Sequence, residues 1–163
     1  MILHISKHIF SIGDKYDILD DQGNLVYKVI GQAFTIGHKL ELHDAHGNEL
    51  AKVNQRLFTF APTYEIEANG KTVATVCKEP FTLTQPRYAV DGPETRYEMV
   101  GDWINWEFTI TADGVPVAQV NKQFAVLADK YNLLVMDGAD VSAIVCLVII
   151  MDEVVHRAHR STC

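Results

Sequence analysis

The stretch Val141-Ser142-Ala143-Ile144-Val145-Cys146-Leu147-Val148-Ile149-Ile150-Met151 decides how this chain folds. Apart from Ser142 it is apolar throughout, with no alternation. It is too short to cross a bilayer, which takes about 20 apolar residues. Such a run fits either a buried strand or a buried helix, and length and flanks arbitrate. Asp140 stands in front of it as an N-cap after the break at Asp137-Gly138, and His156, Arg157, His159 and Arg160 cluster behind it. Acid at the start and base at the end complement a helix dipole. The reading is a helix from Val141 to Arg160. Its first three turns would be apolar on every side, so it has to be surrounded.

The surroundings come from a repeat. Moved by 24 positions, the sequence lands on itself: Phe10-Ser11-Ile12-Gly13-Asp14-Lys15-Tyr16 on Phe34-Thr35-Ile36-Gly37-His38-Lys39-Leu40, then Asp20, Gly23, Asn24 and Val29 on Asp44, Gly47, Asn48 and Val53. A looser third copy starts at Phe58 and turns at Asn69-Gly70. Each unit reads as a β-hairpin. Leu40 and Leu42 alternate with Lys39, Glu41 and His43, and Tyr64 and Ile66 with Thr63, Glu65 and Glu67; period two gives one apolar and one polar face. Asp20–Asn24, Asp44–Asn48 and Asn69-Gly70 supply the Asp, Asn and Gly of tight reversals. The return strands are Leu25–Ile30, Glu49–Asn54 and Thr72–Lys78. Gly13 and Gly37 share one slot after an aromatic-x-Ile and are expected to mark bulges or bends; no phosphate-loop pattern surrounds them.

The second half continues in short strands around Tyr88/Val90, Tyr97/Met99 and Phe108/Ile110. Pro80, Pro86 and Pro93 keep that region's strands short, and Asp113-Gly114 turns into Val115–Val120. Phe124–Tyr131 echoes the first copy with one insertion and without its glycine. About a dozen strands with regular turns point to a barrel or sandwich. A closed sheet of that size has an interior too wide for its own side chains, and a helix is about 10–12 Å across. Each element solves the other's packing problem.

Composition sets the outer bounds. The 163 residues make one domain, residues 1–136 as hairpins and 140–160 as the helix, with 48% apolar and 21% charged residues. A formal charge of −7 and pI near 5.4 argue against a general nucleic-acid binder, although a local basic patch can exist against that average. Three cysteines, Cys77, Cys146 and Cys163, form no disulfide framework. Met1–Phe10 lacks the features of a signal peptide, and Arg160 stands where a prenylation box needs cysteine. The expectation is a cytoplasmic protein, with peripheral membrane attachment left open.

Together, Phe10–Tyr16, the Gly23-Asn24 and Gly47-Asn48 turns, Gln55-Arg56-Leu57-Phe58 and the closing apolar helix resemble the LURP-one-related (YxjI-type) family over essentially the whole chain. That family is similar to the tubby C-terminal domain and to phospholipid scramblases. The resemblance implies a mainly β fold: a closed antiparallel barrel of about twelve strands threaded by a central hydrophobic C-terminal helix. Phe124-Ala125-Val126-Leu127-Ala128-Asp129 departs from the aromatic-Ser-x-Gly-Asp stretch usual there, so the local bend is expected to differ. The family's biochemical role is largely unsettled.

No residue set reads as catalytic, and neither a metal nor another cofactor is expected. His38, His43 and His46 lie around a hairpin turn, where solvated histidines are the plainer reading than a zinc site. Asp152, His156 and His159 share a helical face and fit helix-end charge compensation better than acid–base work. Trp103 and Trp106 are core or rim aromatics, or else a contact surface for the partner or lipid headgroup. By analogy with tubby, Lys15, Lys28, Lys39, Lys52 and Arg56 form a candidate face for a phosphoinositide or other phospholipid headgroup; a solvated strand face gives the same pattern. The leading reading is a non-catalytic barrel binding a protein partner or a lipid headgroup. The alternatives are self-assembly through unpaired edges, if the barrel is not closed, and an enzyme whose site is assembled across strands.

Overall fold

The structure, a computed structural model, describes residues 1–8, 15–32, 37, 39–78, 88–102, 105–123 and 130–160; at Lys15, Lys78, Tyr88, Ala89 and 155–160 the description covers the backbone only. Twelve strands follow one another along the chain: β1 (Ile2–Lys7), β2 (Lys15–Asp20), β3 (Leu25–Gly31), β4 (Lys39–Asp44), β5 (Glu49–Gln55), β6 (Thr63–Ala68), β7 (Lys71–Lys78), β8 (Tyr88–Asp91), β9 (Arg96–Asp102), β10 (Glu107–Ala112), β11 (Val115–Gln123) and β12 (Lys130–Val135). Each pairs antiparallel with its neighbour in sequence, and β1 pairs with β12 from Ile2↔Leu134 to Ser6↔Lys130, closing the barrel. The helix α1 (Val141–Arg160) follows. The shortest strand, β8, lies in the proline-punctuated region.

The first two hairpins are superimposable in their bonding. Asp20 Oδ1 accepts from the backbone N–H groups of Gln22 and Asn24, and Asn24 Nδ2 donates to Asp20 Oδ2. Asp44 repeats this with His46 and Asn48. These bonds hold both carboxyls below the usual Asp range, the Asn side-chain amide contributing most. Register shifts recur just before the turns, at Ile18/Leu19, Leu42/His43, Ile66/Glu67 and Ile110/Thr111. Bulges therefore sit beside the turns. Gly37 instead bends the β3–β4 connection at φ +83°, where a Cβ would come 3.2 Å from Leu57 Cδ2. Gly13 lies outside the described residues.

Inward positions supply the shell of the core: Leu3 and Ile5, Tyr16 and Ile18, Leu40 and Leu42, then onward round to Leu133 and Val135. The helix fills the space they leave. Every residue from Ile144 to Met151 is at most 2% exposed, so no side of α1 faces water along that stretch. Asp140 caps it as its sequence position implied, with Oδ1 accepting from the Ala143 N–H at 3.0 Å.

Candidate functional site at the long-connection end of the barrel

The two ends of the barrel differ. Tight turns at 21–24, 45–48, 69–70, 92–95 and 113–114 crowd one end, where α1 also begins. The other end carries the connections 8–14, 32–38, 56–62, 79–87, 103–106 and 124–129, all but 103–106 longer than any turn at the first end. There the second half of α1 meets the last residue of β1 and the second residues of β2 and β12, Tyr16 and Tyr131.

At that meeting point Asp152 and Glu153 are 0% and 4% exposed. Buried carboxylates need donors and a counter-charge, and three strands provide them. Lys7 Nζ lies 2.7 Å from Asp152 Oδ2 and 3.1 Å from Glu153 Oε1. Tyr16 donates its hydroxyl to the same two oxygens, at 2.6 and 2.8 Å. Tyr131 donates to Asp152 Oδ1. Lys7 also stands over the Tyr16 ring, 5.2 Å from its centroid, and Lys122 over the rings of Trp106 and Tyr131. Burial, followed by the charges of Asp152 and Glu153, holds the Tyr16 phenol well above its ordinary 10.0. One ammonium and two phenols thereby tie the second half of α1 to β1, β2 and β12.

This cluster was not read from the sequence, which paired Asp152 with His156; the side chain of His156 lies outside the description. A signal for it does exist. Asp14-Lys15-Tyr16 and Asp129-Lys130-Tyr131 are the same tripeptide in the first and last repeats. β2 and β12 flank β1 in the closed sheet, so both tyrosines and Lys7 converge on one helix turn.

At the same end of the barrel, the β5–β6 connection forms a loop closed by the Arg56 N–H donating to the Thr63 carbonyl, 2.9 Å. Thr59 and Thr63 hydroxyls both donate to the Ala61 carbonyl. The loop is thus internally bonded, yet it turns Phe58 and Phe60 wholly into solvent, at 104% and 115% exposure. Phe58 has φ +62°, a left-handed conformation unfavourable for a bulky residue.

Of the candidate binding residues, Lys28, Lys39 and Lys52 lie along the outer wall, where carboxylates interrupt them. Lys28 sits between Asp17 and His43, and Lys52 between Glu41 and Glu67. Lys52 pairs with Glu49 and Arg56 with Glu65. An open hollow of about 260 Å³ brings Lys39 and Lys52 together, with Glu41 between them. Another, of about 290 Å³, lies outside β9, β10 and β11 and is lined by Val100, Thr109, Gln119 and Asn121 among others. The side chain of Lys15, and all of His38 and Trp103, fall outside the described residues. Trp106 is a buried rim aromatic, its ring 4.8 Å from that of Tyr131. His43 contacts the Gly47 carbonyl and Glu41, while His46 is exposed. Among the described residues no three His, Cys, Asp or Glu side chains gather as a metal site. No helix there is long and apolar enough to cross a membrane.

Comparison with known proteins agrees with this architecture. The family described as LURP-one-related matches residues 1–152. The uncharacterized protein YxjI of Bacillus subtilis (strain 168) is 32% identical over 156 residues, covering 95% of this chain and 94% of that protein. The X-ray structure of a protein from Arabidopsis thaliana shares the fold with a TM-score of 0.68 at 20% identity, covering 94% of this chain and 91% of that one. A filled twelve-strand barrel, its repeat pattern and this whole-length match converge: the chain belongs to the LURP-one-related family.

Proposed function

We propose that this chain is a non-catalytic docking module that engages its partner with the long-connection end of the barrel, Phe58 and Phe60 serving as anchors. The single observation that carries the reading is the exposure of these two rings on a loop held by its own hydrogen bonds. Burying a Phe side chain is worth roughly 1.5–3 kcal/mol. Keeping two of them in water, one on a left-handed backbone, is a cost that a partner would recover. The barrel's interior is occupied by α1 from Ile144 to Met151, and the buried titratable groups at its mouth are engaged with one another. That filling favours binding over a reaction chamber. Closure of β1 onto β12 pairs the two terminal strands, which removes the edge-pairing route to self-assembly.

The test places a photo-crosslinking phenylalanine analogue at position 60 and, as a control, at Val115, exposed at the opposite end. In cell extract containing its membranes, adducts are expected at 60 and not at 115. Equal labelling at the two sites, or none at 60, would overturn the reading.

A further inference from the structure

We infer that the outer wall formed by β9, β10, β11, β12 and β1 is a face on which two copies of this chain pair, side chain against side chain, about a two-fold axis running along β11. The sheet register lays two cross-strand rows on this wall. One is Val100, Thr109, Gln119, Leu134 and Ile2; the other is Asp102, Glu107, Asn121, Asn132 and His4. Acidic and basic side chains in these rows are confined to Asp102 and Glu107, at the β9–β10 margin. The wall on the far side of the closed sheet, centred on β5, is built otherwise. Its rows are Ile30, Glu41, Lys52, Glu67 and Thr72, then Lys39, Asn54, Glu65, Thr75 and Asp91, charged at six of ten positions. In place of charge, the β11 wall exposes Val100, Leu134 and Ile2, at 37%, 38% and 47%.

A two-fold contact sets one patch against itself, so any charge near the axis meets its own copy. It also reverses the order of the strands, placing β10 of one copy on β12 of the other and β9 on β1. Both rows suit that reversal. Val100 falls on Ile2 of the second copy, apolar on apolar, and Asp102 falls on His4, acid on imidazole. Leu134 falls on the hollow of about 290 Å³ that Thr109 and Gln119 help to line, a projecting side chain over a recess. Gln119 and Asn121 fall on themselves, and an amide, with both donors and an acceptor, is its own complement. Within the chain, His4 Nδ1 lies 2.8 Å from Asn132 Oδ1, and Asn132 Nδ2 donates to Asn121 Oδ1 at 3.1 Å. Asn121 Nδ2 and the Gln119 amide have no partner among the described residues, so both face outward with their hydrogen bonds unmade. Five strands about 4.8 Å apart and five residues at about 3.3 Å give a footprint of roughly 400 Å², against roughly 800 Å² per partner in a standard interface. The pairing is therefore weak and reversible. It needs no unpaired edge, so closure of the barrel does not oppose it. The Phe58 loop, between β5 and β6, and Val115, past the Ile110/Thr111 register shift, lie outside it.

The experiment is sedimentation equilibrium of the full chain over about 1 to 500 µM, a range suited to a weak contact. Four proteins are compared: the parent, Gln119→Glu, Asn54→Asp and Phe58→Ser/Phe60→Ser. A reversible dimer is expected in the parent. Gln119→Glu sets two like charges face to face on the axis and should weaken the dimer at least tenfold. Asn54→Asp adds the same charge to the far wall and should leave the dimer unchanged, as should the phenylalanine double variant. Unchanged melting curves confirm that the variants are folded. Mixing checks the register: Thr109→Lys and Leu134→Glu chains should each dimerise more weakly than the parent alone, yet pair with each other when combined. A parent that stays monomeric throughout would overturn the inference. So would a dimer that withstands Gln119→Glu, a dimer lost with Phe58 and Phe60, or a mixture that fails to pair.

Discussion

Lys7 Nζ lies 2.7 Å from Asp152 Oδ2, an ion pair between the first strand and the helix that follows the last, 145 residues away in sequence. The Lys7 side chain is 13% exposed and Asp152 fully buried. Removing the cation alone leaves two buried carboxylates short of their counter-charge, which typically costs about 3–5 kcal/mol. Lys7→Met is therefore expected to lower the unfolding free energy by that amount, read as a lower urea midpoint with no change in slope. A midpoint equal to the parent's would show that the pair adds nothing to stability.

Tyr16 gives the alkaline limb its sign. Its folded pKa is raised, chiefly by burial and then by Asp152 and Glu153, so above pH 10 the unfolded chain releases a proton that the folded one keeps. The unfolded state then binds fewer protons, and stability falls as pH rises. Below pH 10 this contribution is constant. Tyr16→Phe should lose roughly 1.5–3 kcal/mol at neutral pH, for hydrogen bonds to charged groups, and should show a shallower alkaline decline than the parent. Parallel alkaline curves for the two proteins would contradict this.

Cys146 reports on the helix. Burial pushes its thiol up to about 12, so at pH 8 the native protein should resist alkylation there and react only in denaturant. Peptide mapping after iodoacetamide treatment reads this directly. Ready native labelling would mean that α1 leaves the barrel.

The plug itself is testable by graded insult. Ile144→Ala removes a fully buried side chain and should cost about 2–5 kcal/mol. Leu147→Asp places an unpaired charge in the same interior and should abolish soluble folded protein. Thermal melting of Leu147→Asp like that of the parent would place the helix outside the sheet.

Phe58→Gly separates stability from docking. Glycine relaxes the left-handed backbone, so the isolated protein should gain about 1 kcal/mol, while the anchor is lost. A stability loss instead would mean that the ring packs in solution.

The hairpins were legible because Asp, Asn and Gly act locally: the turn bonds of Asp20 and Asp44 span at most four residues. The helix was legible from Ile144 to Met151 because apolarity on every side admits one environment. Asp152 was not, because its partners Lys7, Tyr16 and Tyr131 come from three strands, and a carboxylate after an apolar run looks like a helix emerging into water. The basic row was half legible. Period two put Lys28, Lys39 and Lys52 outside, but only cross-strand register revealed Glu41 and Glu67 beside Lys52. The display of Phe58 and Phe60 depends on loop geometry, which periodicity does not reach.

Seating α1 inside a sheet whose seam joins β1 to β12 orders events during synthesis. The ribosome emits the filler after its container, so the nascent hairpins hold a wet, sticky concavity until Val141–Met151 clears the exit tunnel. A holdase that masks inward faces such as Leu3, Ile5 and Leu42 during that interval would raise the yield of native protein, and slowing translation just ahead of Asp140 would lower it.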